Sequence, residues 1–467
     1  MKILFSIFTA CLFITPIAAE RPNIVLVMCD DLGYGDVGCF NSATPIQTPH
    51  LDQMAANGLK FNRFYAAAPV CSPTRGSCLT GRHPYRYGIY FANVGHIKKQ
   101  EITLPELLRP LGYETGHFGK WHLGTLTLTE KDANRGGPKN TKHFAPPSAH
   151  GYTESFVTES KVPTYDPMIK PEGAGKTAWD PLKDRSSGVI YGTRYWDHDG
   201  NPVTENLEGD DSRIIMDRAL PFIEESVANG NPFFAAIRFH APHLPVVAGK
   251  EHTAAYQNEG VYERNYYGCV TALDEQVGRL RSKLRELAVA DNTMVWFCSD
   301  NGPEGQTGKA PGSAGPLRGR KRSLYEGGVR VPAILEWPDQ VKQATETEAA
   351  AVTSDYLPTV LEILSLDYPS SRPLDGASLV NVIKNPSAKR LKPIGFQSKN
   401  QVAWHDGAYK LFSKNAGKTW ELFELDSDPG ESNDLAATDP ARVERMAEAA
   451  KAWLDSCKSS DAGKDYE

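Results

Sequence analysis

The sequence predicts an α/β fold, a large mostly parallel sheet sandwiched by helices, followed by a smaller C-terminal antiparallel α+β subdomain. Three observations predict it. Residues 24–28, 233–237 and 294–297 are continuous apolar runs, short enough to be strands buried on both faces. Helical patterns lie between them, such as residues 48–57, with Thr48 as cap, Pro49 at the first position and Gly58 as stop. Each apolar run is followed at once by polar residues able to bind a ligand. A doubly wound sheet presents its ligand-binding groups in this way, beyond the carboxyl ends of its strands.

The chain opens with Lys2, an apolar stretch over residues 3–14, and the small residues Ala18 and Ala19. This pattern predicts a secretory signal peptide over residues 1–19 and an exported protein, periplasmic or secreted. The stretch is too short to span a bilayer, and no other segment reads as a membrane span. Beyond it lie seven scattered cysteines without zinc-type spacing; the six other than Cys71 permit disulfides without specifying any. Cys29 and Cys298 end apolar runs and read as buried free thiols. The formal net charge of −6 comes from interspersed acids and bases, with no basic run that would follow a phosphate backbone, so nucleic acid is not an expected partner.

Residues 125–200 are rich in Gly, Pro, Asn, Lys and Thr and show little periodicity, which predicts long loops beside the site. After the helical stretch SDYLPTVLEIL the pattern changes to short strands, with His405-Asp406-Gly407 reading as a hairpin turn. A closing helix follows, capped by Asp439, with Val443, Met446, Ala450 and Trp453 on one face. The expected organisation is a catalytic domain over residues 20–375 and a subdomain over 376–467.

Asp30 and Asp31 follow one buried run directly, and Asp300 and Asn301 follow another. Carboxylates brought this close repel one another unless a divalent cation sits among them. An all-oxygen donor set suits Ca²⁺ or, less well, Mg²⁺, and not zinc. In PVCSPTRGSCLTGR, residues 69–82, Ser72 reads as a cap and Pro73 as the first helical residue. Cys71 then lies just ahead of a helix N-terminus, where free amides and a partial positive charge favour an anion, and Arg75 is one turn on.

The core Cys71-x-Pro73-x-Arg75, followed by Leu79-Thr80-Gly81-Arg82, resembles the type I sulfatase family of the alkaline-phosphatase-like superfamily. The resemblance extends in order through GYETGHFGKWHLG, APH, SDNG, RKRSLYEGGVRVP and ELFELDSDPGESNDLA, nearly the whole of the chain after residue 19. Cys78 and Phe118 stand where the family usually has aliphatic residues, and Thr153 stands where it usually has Asp, so no substrate contact is carried over to that loop.

The resemblance implies that a formylglycine-generating enzyme oxidises Cys71 to Cα-formylglycine, whose hydrate binds the metal with Asp30, Asp31, Asp300 and Asn301 and attacks sulfur. It implies that Arg75 holds the hydrate, that Lys120 grips sulfate, that Lys321 bridges sulfate and the leaving group, that His122 takes a proton from the second hydroxyl, and that His243 protonates the leaving alcohol. An extended GKWH segment would direct Lys120 and His122 to one face. The expected activity is hydrolysis of sulfate esters, with a sulfated saccharide as substrate, motivated by export and by Tyr195, Trp196 and His198 in the loop-rich stretch. The alternatives are a phosphate or phosphonate monoester hydrolase, or a non-catalytic glycan-binding relative in which Cys71 stays a thiol.

Overall fold

A computed structural model describes residues 21–467; the expected signal peptide lies outside the described residues. Nine strands form the main sheet: β1 (Asn23–Cys29), β2 (Leu59–Phe61), β3 (Glu114–Lys120), β4 (Glu154–Thr158), β5 (Tyr195–Trp196), β6 (Phe233–Arg238), β7 (Thr293–Ser299), β8 (Ala333–Glu336) and β9 (Thr345–Thr347). Their spatial order is β9-β2-β8-β7-β1-β6-β3-β4-β5. The five central strands, from β7 across β1, β6 and β3 to β4, are all parallel, and β8 and β5 flank them antiparallel.

The three apolar runs are the three adjacent strands β7, β1 and β6. Their side chains alternate between two cores, as a sheet covered on both faces requires. On β1, Ile24, Leu26 and Met28 enter one core; Val25, Val27 and Cys29 enter the other. The helices of seven residues or more are α1 (Pro49–Ala55), α2 (Cys71–Thr80), α3 (Asp211–Ala228), α4 (Val261–Glu286), α5 (Tyr356–Ile363) and α6 (Pro440–Asp461). Helices α2 and α5 supply Leu79 and Leu357 to the first core, while α1, α3 and α4 supply Leu51, Ile215 and Leu273 to the second.

The C-terminal sheet is a four-stranded antiparallel meander of β10 (Ile394–Ser398), β11 (Gln401–Asp406), β12 (Tyr409–Ser413) and β13 (Glu421–Glu424). Its expected turn is present one step later, with Asp406 paired to Tyr409 and Gly407 left-handed at φ 62°. Asp439 caps α6 by accepting from the Arg442 amide at 3.1 Å. One cluster joins this sheet to the rest: Phe396, Phe412 and Phe423 pack with Tyr65, Leu324 and Val352.

All seven cysteines among the described residues are free thiols, so the permitted disulfides do not form. The stretch read as loops, residues 125–200, contains two strands of the main sheet, β4 and β5. Strand β4 (ESFVT) was hidden because Glu154 is exposed while Ser155 to Thr158 are buried, which leaves no clean period.

Candidate active site

Parallel strands end on the same side of a sheet, and here five consecutive ends bring the chemistry together. Asp30 and Asp31 follow β1, Asp300 and Asn301 follow β7, Lys120 ends β3, Thr158 ends β4, and His240 and His243 follow β6. Two glycines make the approach possible. Gly119 has φ 98°, and a Cβ there would lie 2.1 Å from the Arg238 carbonyl oxygen on the neighbouring strand. A Cβ on Gly302, in SDNG, would lie 1.9 Å from the carbonyl oxygen of Gly327, in the EGG segment.

Cys71 opens α2 as its first helical residue, with Val70 as the cap. This corrects the expected boundary by two residues: Ser72 lies within the helix, its hydroxyl has no partner, and Pro73 occupies the first turn, where no amide donor is required. Cys71 is buried, and one ligand-grade atom each from Cys71, Asp30 and Asp300 lie within 4.8 Å of one another. Asp30, Asp31 and His243 form a second such group.

Three acids face three bases. Lys120 Nζ bonds Asp30, Lys321 Nζ lies 2.6 Å from Asp31 Oδ1, and Arg75 Nη2 lies 2.7 Å from Asp300 Oδ2. Arg75 also donates to the Lys120 carbonyl oxygen at 3.1 Å, tying α2 to the end of β3. Asn301 Nδ2 donates to Asp31 Oδ1 at 2.7 Å. Burial pushes Asp300 up to about 7, with Asp30 adding to the rise and Arg75 opposing it. Burial also raises Asp31 against the pull of Lys321. Asp30 goes the other way: burial pushes it up, but Lys120, His243 and Arg75 together hold it well below the usual carboxylate range.

Two oxygens are buried without a partner, Asp30 Oδ1 and Asn301 Oδ1. These orphaned acceptors, beside raised carboxylates, leave oxygen lone pairs that no group of the protein satisfies. A divalent cation fits this oxygen set, with Asp30, Asp31, Asp300 and Asn301 as its holders.

The two histidines are oriented by their outer nitrogens. His243 Nδ1 donates to the Leu244 carbonyl oxygen at 2.7 Å, which leaves Nε2 turned to Asp31 Oδ2, 3.8 Å away. His122 Nε2 donates to Asn93 Oδ1 at 2.8 Å, and its Nδ1 is buried without a partner. Burial holds both rings well below the ordinary histidine range, with Lys120 and Arg75 adding to the effect at His122. His122 has φ 58°, so GKWH is not extended as expected. The turn sends Lys120 to Asp30 and His122 to Asn93.

Sequence reasoning missed Asn93 and Glu304. Glu304 lies 3.4 Å from Lys321 and forms a bidentate pair with Arg322. It is two residues past the SDNG glycine, and its place beside that motif was the available signal. His240 is a satisfied core histidine, buried between Asp211 at 2.8 Å and Thr158 at 2.7 Å. Tyr195 and Trp196 do not face the site. Tyr195 stacks on Phe156 at 4.1 Å, and Trp196 donates to Asp132 at 2.8 Å, both in the interior.

Fold and site together define an α/β protein whose strand ends gather carboxylates, lysines and histidines around an anion-handling centre. The Sulfatase family model matches residues 22–366, and the model of the N-sulphoglucosamine sulphohydrolase C-terminal region matches residues 319–457. N-acetylgalactosamine-6-sulfatase of Sus scrofa is 32% identical over 437 residues, covering 89% of this chain and 76% of that one. Arylsulfatase A of Bos taurus is 30% identical over 447 residues, covering 91% and 81%. The crystal structure of Ps i-CgsB in complex with k-i-k-neocarrahexaose matches with a TM-score of 0.77 at 27% identity, covering 93% of each chain. The chain belongs to the sulfatase family. It is a sulfuric ester hydrolase.

Proposed function

We propose that this sulfatase is exported, that it removes sulfate from a carbohydrate, and that it works through a modified Cys71 and a divalent cation, Ca²⁺ in preference to Mg²⁺. The observation that carries the reading is the convergence of Cys71, Asp30 and Asp300 within 4.8 Å beside two unpartnered buried oxygens. A carbohydrate substrate is supported by two relatives: one is named for a sulfated amino sugar, and another was solved with an oligosaccharide. Among the described residues no helix is long and apolar enough to cross a membrane.

Cys71, converted to Cα-formylglycine by a formylglycine-generating enzyme, would supply an oxygen nucleophile, and the cation held by the three aspartates and Asn301 would lower its pKa. The chain's own residues then divide the remaining work. Lys120, buried, and Lys321, whose side chain is 4% exposed, bracket the place where a sulfate monoester brings negative charge, and each exchanges part of its carboxylate contact for sulfate oxygen. Arg75 favours the ionised form of Asp300 and fixes α2 against β3, so the residue at position 71 stays aimed at sulfur.

His122, with its proton on Nε2, holds a free lone pair at Nδ1 and acts as the base that accepts a proton from position 71. His243, with its Nδ1 proton tied to a carbonyl, presents Nε2 to the leaving oxygen; once Nε2 has taken up a proton the imidazolium passes it to the departing alkoxide, and the charge of Asp30 opposes the burial that disfavours that cation. Both need the site dry, and burial of the cluster excludes the water that would screen these charges.

The test has two arms. Mass spectrometry of the peptide containing Cys71 should show it lighter by sulfur plus two hydrogens less one oxygen. Sulfate and phosphate esters of one alcohol should then be compared, with sulfate turned over faster. A purified protein whose residue 71 remains a thiol while sulfate is still released would overturn the mechanism; preference for phosphate or phosphonate would overturn the assignment of sulfate as the working substrate.

A further inference from the structure

We propose that Lys161 is a specificity-determining residue that binds a second anionic group on the substrate, a sulfate or carboxylate adjacent to the ester being cleaved. The inference rests on the sulfated-carbohydrate reading above and adds to it the charge pattern of the substrate.

Every acid in the cluster already has a basic partner. Asp30 pairs with Lys120, Asp31 with Lys321 and Asp300 with Arg75. The two acids at the rim are also taken: Glu159 by Arg135 at 2.9 Å, and Glu304 by Arg322. Lys161, after the end of β4, has no such partner. Among the described residues no carboxylate lies within 4.0 Å of its Nζ.

Its place in the fold makes that surplus informative. Thr158 is the β4 partner of Lys120 in the parallel register, and Lys161 follows three residues later, where the chain leaves the sheet beside the site. The backbone there is anchored, not loose: Thr158 is held by His240 at 2.7 Å, and the Lys161 carbonyl oxygen accepts from Thr193 Oγ1 at 3.0 Å. The side chain is half-buried, and burial and the like charges of Lys120 and Lys321 all press against its ammonium, with Asp30 and Asp31 opposing.

A surface lysine avoids such a position by turning to water. One that stays half-buried near two other lysines, with no carboxylate in direct contact, gains from the arrival of an anion. The scissile sulfate is already provided for by Lys120 and Lys321. Lys161 therefore meets a different anionic group.

The experiment measures affinity and turnover separately. With the enzyme as it exists, kcat and KM are compared for N-acetylgalactosamine 6-sulfate and its 4,6-disulfate, and for the 6-sulfate with and without a neighbouring uronate, using Lys161→Gln and Lys161→Arg. Wild type should favour at least one doubly anionic member through KM, and the preferred arm tells sulfate from carboxylate. Lys161→Gln should erase that preference, raising KM for the favoured member roughly tenfold more than for its singly charged counterpart. Lys161→Arg should retain most of it.

Calorimetric binding of the same saccharides to Cys71→Ala protein, with and without Lys161→Gln, gives a readout that needs no turnover. Equal losses on singly and doubly anionic ligands, or no preference in wild type, would overturn the role of Lys161. Failure of wild type to release sulfate from any saccharide while an aryl sulfate is hydrolysed would instead overturn the carbohydrate reading.

Discussion

Arg75 and Asp300 meet through one carboxylate oxygen: Nε and Nη2 both donate to Oδ2, at 3.0 and 2.7 Å, while Oδ1 accepts from the Asp31 amide at 3.2 Å. The pair is wholly buried, so neither charge has water to fall back on.

Removing the guanidinium should therefore cost stability as well as activity. Arg75→Ala leaves Asp300, already pushed up to about 7 by burial and by Asp30, without its main counter-charge. Breaking a buried pair from one side costs about 3–5 kcal/mol. Urea unfolding of the cation-free protein should show a loss of that size, and a loss under about 1 kcal/mol would mean that the pair is not the brace described here.

Chelation should destabilise the protein, and added Ca²⁺ should restore it. Asp30 Oδ1 and Asn301 Oδ1 have no hydrogen-bond partner within the protein, and a bound cation would give them one. A cation at 100 times its dissociation constant stabilises by about 2.7 kcal/mol. Thermal unfolding against Ca²⁺ and Mg²⁺ concentration measures this, with Ca²⁺ effective at lower concentration because a set of carboxylate and amide oxygens suits its looser geometry. Asp31→Asn should lose most of the response; an undiminished response would place the ion elsewhere.

The site was legible where chemistry sits in consecutive residues. Asp30-Asp31 and Asp300-Asn301 stand out because they end apolar runs, and the sheet makes those runs neighbours, β1 beside β7. The fold was legible for the same reason, since strands β1, β6 and β7 are apolar on both faces. What escaped depends on contacts between distant segments. Asn93 matters only because His122 turns toward it, and nothing in GKWH announces φ 58°. Tyr195 and Trp196 pointed to a saccharide substrate because their loop-like surroundings concealed β5, whose partner β4 had itself gone unseen.

Lys410 should prove essential to the seam between the main sheet and the C-terminal meander. It is buried between two carboxylates, 3.0 Å from Glu326 Oε1 and 2.8 Å from Glu431 Oε1. Glu431 in turn accepts from the Glu326 amide at 2.6 Å, and burial pushes it up to about 7 against the pull of Lys410. Lys410→Met leaves two facing acids without their shared cation and should cost about 3–5 kcal/mol. Adding Glu431→Gln should recover part of that loss. If the double variant is no more stable than the single one in urea, the two residues are not coupled.

Acid should weaken the fold through histidines buried as neutral rings, and His83 isolates the effect outside the catalytic cluster. It caps the short turn at Pro84–Arg86, where Nδ1 accepts from the Tyr85 amide at 3.3 Å. Its Nε2 is buried without a partner, and its ring stands edge-on to Trp453 at 4.8 Å. Burial is the main cause that brings its pKa down to about 3, with Asp375 opposing. The unfolded ring takes its proton near 6.5, so the unfolded state binds one more proton across the interval down to about 3. The stability it contributes is complete above pH 6.5 and is lost as pH falls toward 3, by about 1.4 kcal/mol per pH unit. His83→Asn keeps an acceptor for the Tyr85 amide but cannot titrate. Unfolding free energies between pH 6 and 4 should therefore fall less steeply in the variant than in the parent, by close to one proton. Equal slopes would show that His83 is protonated in the folded protein.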